Sequence, residues 1–313
     1  MTALTTLAPE RFEADRPHLR AVAHRMLGSL GEAEDAVQET WLRAAGADLA
    51  AVDNLSGWLT TVVGRVCLNM LRSRRTRPEV PLDDRPAEPV AGPGEGGDPE
   101  EEALLADSVG VALLVVLDTL APAERLAFVL HDLFAVPFDD IAPLIERTPA
   151  ATRQLTARAR RRVRGAGAPA ADRARLREAV DAFLAATRAG DFEALLALLH
   201  PDVVLTADRF VVPTPQPVAM SGARTVAESA MAATGRARFT GAALIDGRIG
   251  LVMAPQGRLR VVLLFTVTPD GITAIDVVAD PERLDALEVA VLDAPGDRPA
   301  PSDAGDDPLP ADG

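Results

Sequence analysis

The sequence predicts a multidomain chain: two all-α blocks, the second ending in a helix-turn-helix, followed by an α+β domain. Three observations carry this. Apolar residues recur at helical spacing over 1–76 and again over 104–166. A proline-, glycine- and acid-rich segment, 77–103, separates those two blocks. Within 172–290 the pattern shifts from helices to alternating runs punctuated by Asp-Gly and Gln-Gly pairs.

In the first block Leu19, Val22, Ala23, Met26 and Leu27 form one apolar stripe, and Ala33, Ala36, Val37, Trp41 and Ala44 a second. Leu59, Val62, Val63, Val66 and Met70 form a third, with Ser56 as the expected N-cap. The segment 77–103 has too little apolar surface to offset ordering entropy and reads as a flexible linker. In the second block Pro122 suits a first helical turn. Phe138, Ile141 and Ile145 then mark a short helix, with Asp139 as a candidate cap that limits the cost of Pro143. Thr148-Pro149 opens the next helix. Two helices begin the third block and another covers "ARTVAESAMAA". Four strands with turns at Asp246-Gly247, Gln256-Gly257 and Asp270-Gly271 predict a curved antiparallel sheet with helices on one face. The tail, 291–313, reads as disordered.

Composition narrows the function classes. Net charge is −14, and all 32 basic residues are arginine, a codon bias rather than a sign of nucleic-acid binding. Cys67, the single cysteine, lies among apolar residues and reads as core. Four scattered histidines and this cysteine give no metal-ligand spacing, and no cofactor is expected. "GPGEGGDP" lacks a preceding strand and is no phosphate cradle. The apolar run "VGVALLVVL" is far short of the roughly 20 residues that span a bilayer. The N-terminus has no basic region before an apolar stretch, so a cytoplasmic protein without membrane association is expected.

Against that acidity, "TPAATRQLTARARRRVRG" (148–165) holds six arginines and no acid. On a helical wheel Ala151, Leu155, Ala159 and Val163 drift along one side, with Arg153, Arg160 and Arg164 opposite. A second helix of a helix-turn-helix enters the major groove, where arginine serves phosphates and guanine edges alike. A solvated basic face is the alternative. In the first block Arg65, Asn69 and Arg72 share a face, followed by Arg74, Arg75 and Arg77. Trp58, at that helix's start, either stacks on an unpaired base or packs in the core. Glu34, Asp35, Gln38 and Glu39 make an acidic face suited to a basic partner or to water.

These motifs resemble a known family. "GEAEDAVQETWLRA" resembles region 2.2 of the extracytoplasmic-function (ECF) RNA polymerase sigma factors, and "SGWLTTVVGRVCLNMLRSRR" their regions 2.3 and 2.4. The stretch from "LDTLAPAERL" to "RARRRVR" resembles region 4, and the third block the cone-shaped SnoaL-like (nuclear transport factor 2-like) domain of one subgroup. The resemblance implies a region 2 helical bundle at 1–76, a region 4 helix-turn-helix at 104–166 and a SnoaL-like domain at 172–290 that modulates activity. It implies core RNA polymerase (β′ clamp helices, β flap) and promoter DNA as partners. Asp35, Gln38 and Glu39 would face the clamp helices. Asn54, Ser56 and Trp58 would read and melt the −10 element, with Arg65, Asn69 and Arg72 on the adjacent duplex. Arg153, Gln154, Arg158 and Arg160 would read the −35 element, and Arg161, Arg162 and Arg164 would hold backbone. The chemistry would be the polymerase's, so no enzyme is expected.

Departures from the subgroup fall in the coupling motifs. "TADRFVVPTPQP" (206–217) stands where an Asp-Gly-rich motif is typical, "RPAEP" (85–89) echoes the linker motif, and "DPERL" (280–284) the late one. A small-molecule ligand and an anti-sigma partner stay open. So does an enzymatic third block, for which His200, Asp202, Asp208, Asp246 and Asp276 qualify by type. A one-component helix-turn-helix regulator with a sensing or enzymatic SnoaL-like domain is the alternative reading; it leaves the first block unexplained.

Overall fold

The computed structural model describes residues 9–47, 49, 52–76, 110–164, 170–211 and 216–292. The expected linker, the break after Arg164, Arg77, the Arg75 side chain, the middle of the 206–217 stretch and the tail beyond 292 lie outside the described residues.

Three helices form the first block: α1 (Pro9–Leu27), α2 (Leu30–Ala45) and α3 (Leu55–Thr76). Their stripes meet in one core, where Leu19, Ala33, Leu59 and Cys67 are fully buried. The second block runs α4 (Val111–Thr119), α5 (Pro122–Phe128, continued by a π turn Val129–Leu133), α6 (Phe138–Ile141, continued by a 3-10 turn Ala142–Ile145) and α7 (Pro149–Arg164). Pro143 sits where the α-helix tightens to 3-10, a turn that tolerates its missing N–H. The N-cap of α6 is Pro137, not Asp139. At α3 the cap is Asn54, whose Oδ1 accepts from Gly57 N at 3.0 Å, not Ser56.

The third block comprises α8 (Ala170–Ala189), α9 (Phe192–Leu198), β1 (Leu199–Ala207), β2 (Val218–Ser221), α10 (Ala223–Ala232), α11 (Thr234–Ala237), β3 (Thr240–Ile245), β4 (Arg248–Met253), β5 (Val261–Thr268), β6 (Gly271–Val278), α12 (Pro281–Ala286) and β7 (Val289–Ala290). The strands form one seven-stranded sheet in the order β2-β1-β6-β5-β4-β3-β7. The expected all-antiparallel sheet is corrected here: β1 runs parallel to β6. Alternation reveals which face a residue occupies but not its strand's direction or partner. The Asp246-Gly247 hairpin holds, with both residues at positive φ (48° and 77°), as a type I′ turn requires.

One face of the sheet packs on α8 through Phe183, Phe265, Leu205 and Ile275. The other receives α4: Val111, Ala112 and Val115 join Ala243, Val252, Val262 and Val278 in a separate cluster. The opposite side of α4, including Leu113, Val116 and Leu117, belongs to the helical core. A helix apolar on every side must be buried on every side, and the run "VGVALLVVL" meets this by lying between helices and sheet.

The two helical blocks share a single core. Gly64 on α3 allows the approach: a Cβ there would stand 3.1 Å from Leu130 Cδ1 and 3.2 Å from Leu126 Cδ1 of the second block. The turn between β4 and β5 also reaches the first block, where a Cβ on Gly28 (φ 81°) would come 2.8 Å from the Gln256 carbonyl oxygen.

Candidate nucleic-acid interface

Helix α7 starts where the sequence places it. Thr148 Oγ1 accepts from Ala151 N at 3.2 Å, and Pro149 leads the helix. Its inner face keeps the expected Ala159 and Val163 but not Ala151 and Leu155. Thr152, Thr156, Ala159 and Val163 are buried, whereas Ala151 and Leu155 are half-buried. Threonine can take the inner face because its hydroxyl bonds back along the helix: Thr152 Oγ1 donates to Thr148 O (3.0 Å) and Thr156 Oγ1 to Thr152 O (3.1 Å).

This rotates the outer face. At about 100° per residue, the positions opposite the buried row are Gln154, Arg158 and Arg161, while Arg153 and Arg160 fall on one flank and Arg162 on the other. All of these, with Arg164, are exposed. The flanking side chains are held. Arg153 lies 5.5 Å over the Phe138 ring, which stacks on His131 at 3.7 Å. Arg160 Nε donates to both oxygens of Asp132 (2.9 and 3.0 Å), and Nη2 donates to the same carboxylate. Those bonds raise the Arg160 pKa. Arg162 Nη1 stands 3.6 Å from Glu124 Oε2. Asp132 and Glu124 were missed in the sequence, because both lie on α5 and its π turn, far from α7 along the chain.

On α3, Arg65, Asn69 and Arg72 are exposed along one face. Arg74 is drawn instead into an ion pair with Glu32. Asn54 and Ser56 are exposed at the helix start, and Ser56 Oγ donates to Asp15 Oδ1 at 2.8 Å. With Arg11 and Asp53 they border an open groove of about 420 Å³. Trp58 is half-buried against the helical core.

The acidic face of α2 is only partly free. Asp35 and Gln38 are exposed, Glu39 pairs with Arg43 at 2.8 Å, and Glu34 bonds to Arg16 at 3.0 Å. Beside Gln38, Leu42 is 60% exposed. It lies off the second stripe, which is the signal that marks it.

Four of the five candidate groups of the third block, all but the Asp202 carboxylate, make structural bonds. Asp208 accepts from Phe210 N, Ala279 N and Asp280 N, tying the end of β1 to α12. Asp246 accepts from Glu288 N, and His200 Nδ1 from Asp202 N. Asp276 accepts from Thr206 and pairs with Arg283. Among the described residues no group of three or more His, Cys, Asp or Glu side chains could hold a metal ion, and no helix is long and apolar enough to cross a membrane.

Charge is also buried where the two helical blocks meet. Arg125 on α5 is 2% exposed; its Nε donates to Arg25 O (3.4 Å) and its Nη1 to Asp118 (3.3 Å), while Nη2 has no partner. Desolvation lowers its pKa to about 10. His24 is 1% exposed, its Nδ1 unpartnered, and its pKa falls to about 4 through burial first and then the charges of Arg25, Arg125 and Arg20. Burial pushes the Cys67 thiol up to about 12, so it is core rather than nucleophile.

Comparison with known proteins agrees with this division. Residues 11–77 match Sigma-70 region 2 and residues 110–163 match Sigma-70, region 4. A probable ECF RNA polymerase sigma factor SigI of Mycobacterium tuberculosis is 33% identical over 278 residues, covering 88% of this chain and 94% of the relative. The ECF RNA polymerase sigma factor SigJ of M. tuberculosis H37Rv is 42% identical over 204 residues, 63% of this chain and 64% of that relative, just under two thirds of its length. The crystal structure of M. tuberculosis SigJ aligns over 89% of this chain and 98% of its own, at 30% identity and a TM-score of 0.41. The helical regions 2 and 4, in this order and with a relative matched over nearly its whole length, place the chain in the family of extracytoplasmic-function RNA polymerase sigma factors.

Proposed function

We propose that the chain binds core RNA polymerase and directs promoter-specific initiation. Helix α7 reads the −35 element in its major groove. The start of α3, with Asn54, Ser56 and Trp58, reads and opens the −10 element, and Arg65, Asn69 and Arg72 hold the adjacent duplex. Asp35, Gln38 and Glu39, joined by Leu42, face the clamp helices of the β′ subunit, and region 4 meets the β flap. Bond-making belongs to the polymerase; this chain positions and opens DNA, in the cytoplasm where both partners are found.

One observation carries the reading. In a chain of net charge −14, α7 buries four small side chains and turns six arginines and Gln154 outward. The third block then modulates the reader through contact: α4 lies between sheet and helices, and Val291 N donates to Val163 O in the last turn of α7 at 2.9 Å. A one-component regulator would leave the region 2 match over 11–77 without a task. Mixing the purified chain with core enzyme tests the proposal by size-exclusion chromatography and transcription from promoter libraries. A stable complex with promoter-specific transcripts is expected; absence of both ends it.

A further inference from the structure

Arg160 and Arg162 lie on opposite flanks of α7, and each has an acid beside it on α5 or its π turn. Asp132 is nearly buried, its side chain 13% exposed against 44% for Arg160, and Glu124 is 14% exposed against 57% for Arg162. The platform beneath them is fixed. Val136 N donates to Leu130 O (2.9 Å), His131 Nδ1 bonds to Val136 O (3.0 Å), and Glu124 Oε2 also accepts from Ala121 N (3.4 Å). Asp132 takes the Nε edge of Arg160 and one hydrogen of Nη2. Of the five N–H donors in an arginine fork, the Nη1 end stays available for a second anion.

A major groove is about 12 Å wide, close to the diameter of a helix with its side chains. A helix lying in it turns its outermost row to the base edges and its two flanks to the two phosphate strands. The row opposite the buried face is Gln154, Arg158 and Arg161, whereas the flanks carry the acid-paired arginines. For raw attraction to DNA an acid on each flank is unfavourable. For order it is useful, because a free arginine loses rotamer entropy when DNA fixes it.

We propose that Asp132 and Glu124 are positioning residues that hold Arg160 and Arg162 as phosphate clamps on the two flanks of α7, leaving Gln154, Arg158 and Arg161 to face the bases. The inference rests on the −35 reading proposed above and reassigns two side chains within it. Arg160 moves from base reader to backbone clamp, and Arg161 moves the other way.

The test uses the full chain assembled with core RNA polymerase, and duplex promoter fragments carrying either a selected or a scrambled −35 element, titrated over a range of salt. Arg160→Ala and Asp132→Ala should each weaken binding about 3- to 10-fold on both fragments and leave their ratio unchanged. Each should also lower the slope of log affinity against log salt by about one. The double variant should be no weaker than either single one. Tighter binding by Asp132→Ala would show that the acid only masks charge, and overturns the proposal. So does a loss confined to one base pair, or a lowered melting temperature with binding unchanged. Glu124→Ala with Arg162→Ala repeats the cycle on the other flank should the Asp132 variant not fold. If the wild-type holoenzyme binds both fragments alike, the −35 reading itself fails. If Arg158→Ala flattens the preference while the Asp132 and Glu124 variants bind unchanged, only the clamps fail.

Discussion

Arg158 on α7 and Arg125 on α5 are the same residue type in opposite settings. Arg158 is exposed on a helix that keeps a row of small side chains inward, while Arg125 is 2% exposed between the two helical blocks, with one nitrogen unsatisfied. An arginine in water can wait for a polyanion. A buried arginine with an incomplete set of partners is a stability cost unless its surroundings need it. The difference separates the surface proposed to meet DNA from a junction that ties regions 2 and 4 together, and each side of it can be tested.

The largest effect should come at the junction from His24. Its pKa in the fold is about 4, below the ordinary 6.5, so the folded state favours the neutral ring and the unfolded chain binds the proton first. The contribution is fully present above pH 6.5 and is lost as pH falls from 6.5 toward 4. At 1.36 kcal/mol per pKa unit it amounts to something on the order of 3 kcal/mol. Across this window the urea midpoint of the wild type should fall with pH while that of His24→Leu lacks this contribution to the decline; a parallel decline in both would detach His24 from the effect. Next, Arg125→Ala should cost about 2–3 kcal/mol through lost packing and a lost partner for Asp118, whereas Arg125→Met should cost under about 1 kcal/mol. Equal losses would mean the charge, not the volume, holds the junction.

On the side proposed to face DNA, Arg158→Ala should remove about 1–3 kcal/mol of discrimination at one −35 base pair without changing the melting temperature. A loss spread equally over all sequences would make Arg158 a phosphate contact. The smallest effect belongs to the tie between the sheet and α7. Val291→Pro removes the N–H that reaches Val163 O and should cost about 1 kcal/mol in thermal stability. An unchanged melting temperature would show that the last turn of α7 does not depend on the third block.

Much of this was legible in the sequence, where periodicity is strong. The stripes on α1 to α3, apart from the half-buried Val62, the Thr148-Pro149 helix start and the Asp246-Gly247 turn lie where the pattern puts them. Much of what escaped shares one cause: partners far apart along the chain. Asp132 lies 28 residues from Arg160, Leu126 and Leu130 meet Gly64 across the linker, and β1 pairs with β6 past four intervening strands. The inner face of α7 escaped for a second reason. A polar scale counts Thr152 and Thr156 as outward, yet each hydroxyl satisfies itself on the preceding turn and can be buried. Thr152 and Thr156 in place of Ala151 and Leu155 in that row moved Arg153 and Arg160 from the outermost face to a flank.

The central claim is that one chain reads a promoter at two places with two different helices. Transcription by core enzyme plus this chain, from a library with the −10 and −35 elements independently randomised, tests it most directly. Enrichment at both elements is predicted, with Trp58→Ala flattening the −10 preference alone and Arg158→Ala the −35 preference alone. Enrichment at neither element, or loss of both preferences from either substitution, would contradict it.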